Sequence, residues 1–180
     1  MPLAEPKPGS ARDLVRSFGT ELRTHMAYPI YFLQQAAAAL DGGSTIGTSL
    51  LCRAALEAAY CQFLQYAMPT VDGTGNAMHR EPRLLPGQRE LGDRVNFGGV
   101  MRAIKGSKLL DVEQLLASER IRHNGNWVAH VIQISEKERQ QSSDPLHWTP
   151  WIDETRARAD LVETLGILRT VENAFPSIFK

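Results

Sequence analysis

Cysteine is scarce in this chain, with Cys52 and Cys61 the only two in 180 residues. That excludes a disulfide-stapled scaffold. If both lie on one helix, nine positions apart, they point to opposite faces and sit roughly 13 Å apart along the axis, too far to bridge. Buried, reduced thiols are expected, in keeping with a cytoplasmic location. Long hydrophobic runs are missing too. No uninterrupted apolar stretch reaches the length of a membrane-spanning helix, so no membrane partner is expected. The opening MPLAEPKPGS has three prolines and no apolar centre, unlike a signal peptide. Nor is there an excess of one charge. Twenty Lys and Arg balance twenty Asp and Glu, which argues against a basic protein that coats nucleic acid or membranes. No convincing strand pattern and no internal repeat occurs. The histidines His25, His79, His123, His130 and His147 are scattered without a helical ligand pair, so neither a metal nor a cofactor is expected.

What is present is enough apolar residue, 43% of the chain, to fill a core without a metal or disulfide staple. Residues 1–9 read as a disordered lead-in and 10–180 as one domain, with its core between 44 and 175. Ser10 can cap a helix carrying Leu14, Val15, Phe18 and Leu22. A second helix runs from about Pro29 through IYFLQQAAAAL, until Asp41-Gly42-Gly43 stops it. Ser44 or Thr45 opens TIGTSLLCRAALEAAYCQFLQYAM, whose only charges are Arg53 and Glu57. It is expected to be the central, most buried helix, ending at Met68-Pro69. The segment from Pro69 to Asp93 is irregular. Its DGTGN lacks the ligand spacing of a calcium loop and reads as a turn.

A short helix is expected over Phe97–Lys105, capped by Asn96 and closed by Gly106-Ser107. Another starts at Asp111. The polar stretch SEKERQQSSDPLHWTPWID follows, in which His147, Trp148 and Trp151 form either a lid or a loop tucked against the bundle. Asp153 or Thr155 caps the last helix, which carries Leu161, Val162, Leu165, Leu168, Val171 and Phe175 on one side and closes at Pro176. The fold class is all-α, a bundle of about four or five helices.

Chemistry concentrates in ERIRHNGNWVAH, residues 119–130. At roughly 100° per residue, Arg122, Asn126 and His130 form one i, i+4, i+8 ridge. His123 and Glu119 lie beside it, Trp127 borders it, and Arg120 projects between faces towards surface or interface contacts. Val128, Val131, Ile121 and Ile132 fall on the opposite, core side. Gly125 and Ala129 border that apolar side and allow another helix close approach. An arginine can hold a phosphate oxygen and stabilise charge built up during transfer. A histidine can take or give a proton near neutral pH. The same face also reads as a solvated helix surface. Between Met78 and Leu109, seven basic residues face three acidic ones, a modest patch that includes Arg102 and Lys105.

Arg122 through His130, written R-x-x-G-N-x-x-A-H, resembles the motif of the HEPN superfamily (higher eukaryotes and prokaryotes nucleotide-binding), and especially a bacterial branch of unknown function. LLCRAALEAAYCQFL and ARADLVETLGILRTVENAF are similar to that branch's early and final helices. The resemblance spans about Ser44 to Phe175. It implies an α-helical bundle that dimerises through the motif helix. It also implies a metal-independent ribonuclease site formed by Arg122 and His130. The seven residues between those two exceed the family's usual spacing. From this follow the expectations. Arg122, His130 and Asn126 are the catalytic set, and His123, Asn124, Arg102 and Lys105 contact substrate. The partners are RNA, a second copy of the chain, and an antitoxin or regulatory protein, as in toxin or phage-defence systems. A non-catalytic module for dimerisation or for RNA or protein binding is the alternative.

Overall fold

In a computed structural model, the structure describes residues 9–16, 26–67, 97–130 and 152–175, with side chains to Asn126 in the third segment. All regular structure among them is helical: α1 (Ala11–Arg16), α2 (Ala27–Asp41), α3 (Thr45–Gln62), α4 (Phe97–Ser107), α5 (Val112–His130) and α6 (Glu154–Asn173). The expected all-α bundle is what forms. A π-helical turn, Phe63–Ala67, extends α3. The lead-in to residue 8, the 69–93 segment, Asn96, Val131, Ile132, the HWTPW loop and Pro176 lie outside the described residues.

Local chemistry sets the helix ends. Ser10 accepts from the Asp13 amide at 3.3 Å, as its place before an apolar helix suggests. Asp41, which the sequence marks only as a stop for α2, does more. Its carboxylate accepts from the amides of Ala11 at 2.7 Å and Arg12 at 3.2 Å, so it caps α1 from thirty residues away. Gly43 has φ +79°, a conformation open to glycine at little cost, and this reverses the chain. Ser44 then caps α3 by accepting from the Gly47 amide at 3.2 Å. Asp153, not Thr155, caps α6, accepting from the Arg156 amide at 2.7 Å. Lys108, with φ 57°, turns the chain between α4 and α5.

Helix α3 is the hub, packing against α2, α4, α5 and α6. Cys52, Ala55, Leu56, Ala59 and Tyr60 are fully buried along it. The alanines keep its surface low, so neighbouring backbones approach closely. On α6 the buried ridge is Ala157, Leu161, Leu165, Leu168 and Val171, continuing to Phe175. Each large apolar side chain so buried contributes about 1.5–3 kcal/mol. Phe175 meets Phe63 edge-on, ring centroids 6.2 Å apart, and closes one end of the bundle. Val162, expected on this side, is instead 48% exposed. It lies one residue, about 100°, from Leu161 and so leaves the ridge. On α1, Val15 is buried and Leu14 partly exposed; Phe18 and Leu22 lie outside the described residues. Among the described residues, no helix is long and apolar enough to cross a membrane. The two cysteines are free, Cys52 buried and Cys61 half-buried.

Candidate functional site

The motif occupies the C-terminal half of α5, and the helix begins with a reciprocal cap. Asp111 Oδ1 accepts from the Gln114 amide at 2.8 Å, and Gln114 Oε1 accepts from the Asp111 amide at 3.4 Å. Two amides left unpaired by any helix start are thereby satisfied. Gln114 also donates through Nε2 to Thr170 Oγ1 on α6 at 2.7 Å.

The inner face of α5 is fixed by packing. Ala117, Ser118, Ile121 and Gly125 are all buried. Ser118 donates to the Gln114 carbonyl at 2.7 Å, so the Tyr60 hydroxyl, 2.5 Å from Ser118 Oγ, is the donor in that pair. At Gly125 α3 comes close. A Cβ added there would stand 2.5 Å from Cδ and 2.7 Å from Cβ of Arg53. The close approach expected of Gly125 is therefore made to a helix of its own chain, which removes Gly125 as a reporter of contact between subunits. Arg53 lies with its guanidinium over the Phe97 ring, 5.5 Å from the centroid. Its Nη2 is 3.5 Å from Glu57 Oε2. The two charges of α3 thus answer each other. Burial raises the Glu57 carboxyl above its ordinary range, and the Arg53 charge opposes that shift.

On the flank facing α6 lies a carboxylate that sequence reasoning passed over. Asp160 is completely buried. Its Oδ2 accepts from Asn124 Nδ2 at 3.1 Å and from Ser49 Oγ of α3 at 3.4 Å. Its Oδ1 lies 3.5 Å from Arg120 Nε and has no hydrogen-bond donor in position among the described residues. Arg120 also bonds Glu163 through Nη2. Arg120, expected to make surface or interface contacts, is therefore tied to α6 of its own chain. Asn124, expected to touch substrate, turns its amide inward. Nearby, burial pushes the Cys52 thiol up to about 12. A hydrogen bond with Thr164 lowers it, and the Asp160 charge adds a smaller upward push. One signal for Asp160 was legible: it stands in register with Ala157, Thr164, Ile167 and Val171, a carboxylate on a largely apolar face.

The outer face holds the rest of the motif. Arg122 is half-buried, and its Nε and Nη2 both meet Glu119 Oε2 at 2.8 Å. Glu119 thus holds Arg122 in place. Asn126 is half-buried and His123 exposed. His130 ends the helix at the expected register, its side chain outside the described residues, as are those of Trp127, Val128 and Ala129. Arg102 and Lys105 are exposed on α4, which turns Phe97, Val100, Met101 and Ile104 inward. They belong to a different helix from the motif. Val112 and Leu116, one turn apart at the start of α5, are 72% and 66% exposed. Comparison with family models, curated proteins and solved structures finds no match for the chain.

Proposed function

We propose that the protein is a HEPN-like, metal-independent endoribonuclease whose working side chains are Arg122 and His130. The observation that carries this reading is the division of α5. Its inner side is taken up by packing, while Arg122 and His123 stand at the solvent side, with Arg122 already oriented by Glu119. RNA supplies its own nucleophile. His130 takes the proton from a 2′-hydroxyl, the 2′-oxygen attacks phosphorus, and the bond to the 5′-oxygen breaks as that oxygen takes a proton from water. A 2′,3′-cyclic phosphate remains. Arg122 stabilises the charge that builds on the non-bridging oxygens, and Asn126, one turn on, orients a phosphate oxygen or the imidazole. His123, Arg102 and Lys105 contact the RNA around that point. Toxin or phage-defence duty, with an antitoxin or regulator, follows from the family resemblance.

The test uses a labelled mixed RNA pool in EDTA. Cleavage by wild type that disappears in Arg122→Ala and His130→Ala, with cyclic phosphate ends, supports the reading. An intact pool with wild type rejects it.

A second reading, a dimerisation module without catalysis, is favoured by the exposed Val112 and Leu116 on the same helix. Large apolar side chains paired at i, i+4 in solvent suit a contact between two copies. Leu116→Glu would then halve the mass seen by light scattering, and an unchanged mass would count against the dimer.

A further inference from the structure

Arg122 is flanked two residues before by Arg120 and two residues after by Asn124, and both flanking residues end on the same buried carboxylate. Arg120 Nε is 3.5 Å from Asp160 Oδ1, and Asn124 Nδ2 is 3.1 Å from Oδ2. On a helix the two flanking residues share a ridge, and that ridge lies about 160° around the axis from Arg122. Asp160 itself cannot drift. Its side chain has no solvent exposure, it sits in mid-α6, and Ser49 of α3 donates to the same oxygen that Asn124 uses. A single carboxylate thus joins three helices directly behind the motif.

We infer that Asp160 is a positioning residue for Arg122 and Asn126. By holding residues 120 and 124 it sets the rotation of α5, so the opposite ridge faces outward. It would act on RNA only through that setting, without touching substrate. The inference deepens the ribonuclease reading above and rests on it for its catalytic part.

The contact can be reversed. Asn124→Asp alone opposes two carboxylates, turning the hydrogen bond into a repulsion. Adding Asp160→Asn restores an amide–carboxylate pair with the donor on the other helix. If Asp160 positions the site, Asn124→Asp lowers kcat about 10–100-fold, and KM for RNA stays within about twofold of wild type. The double variant recovers most of the lost kcat. If Asn124 instead contacts RNA, KM rises in the single variant and the second substitution does not restore it; that result overturns the inference. Unchanged kcat in Asn124→Asp overturns it as well. Should Asn124→Asp not fold, Asn124→Ser removes the amide without adding charge and gives the same kcat and KM comparison.

Melting temperatures of wild type, Asn124→Asp and the double variant separate this inference from the reading beneath it. If wild type leaves RNA intact, the ribonuclease reading falls, and the clamp is decided by stability alone. Recovery of Tm in the double variant retains Asp160 as the residue that sets α5, and no recovery removes it.

Discussion

Two arginines, two residues apart on α5, each pair with a carboxylate, and the pairs have different consequences. Arg122 meets Glu119 on its own helix, with the glutamate side chain half exposed. Arg120 reaches across to α6 and meets Asp160, whose side chain sees no water. The exposed pair forms in a medium that screens it and loses side-chain freedom in forming, so little net stability results. In the buried pair, Asp160 depends on its partners, because an uncompensated carboxylate in the interior is costly. Similar chemistry thus orients a side chain on one face and joins helices on the other.

Removing the cation that faces the buried carboxylate is the strongest way to break this contrast. Arg120→Ala should destabilise the protein by about 2–3 kcal/mol, less than a fully buried pair would cost, because water reaches the guanidinium. For a chain of this size that lowers Tm by roughly 5–10 °C, a shift readable by calorimetry. A smaller loss is expected at Gly125, where no charge is involved. Replacing an interior helical glycine by alanine normally gains up to about 1 kcal/mol. Here the new methyl meets the stem of Arg53, and overpacking of that kind costs about 1–3 kcal/mol. Gly125→Ala should therefore be destabilising, and a raised Tm would show that Arg53 moves aside freely. The smallest effect belongs to the exposed pair. Glu119→Gln should change stability by less than about 0.5 kcal/mol. It should also tighten RNA binding, measured by filter retention, because Arg122 loses a competitor for phosphate.

Most helices were legible in the sequence because their ends carry local signals. Ser10, Ser44, Asp111 and Asp153 each cap the helix that follows them. Gly43 and the apolar spacing of α3 and α6 did the rest. The outer ridge of the motif followed from helical period alone. The inner ridge did not, because Asn124 and Arg120 find their partner 36 and 40 residues further along the chain, and nothing in periodicity names a partner. Asp41 eluded reading for the same reason, since the amides it caps belong to a helix that precedes it by about thirty residues. Val162 was misplaced by grouping it with Leu161, when one residue of helix is enough to turn a side chain from core to solvent.

The carboxylate behind the motif also has a place in time. Residues 112–130 leave the ribosome before Asp160 does, and Ser49, which shares that carboxylate, lies 111 residues before it. Until α6 has been made and docked, the motif helix has its α3 contacts at Tyr60 and Arg53 but lacks those to Asp160, Glu163 and Thr170. Domains of this kind complete their long-range contacts late. A growing chain should therefore acquire the outer ridge in its working orientation only once the final helix is in place.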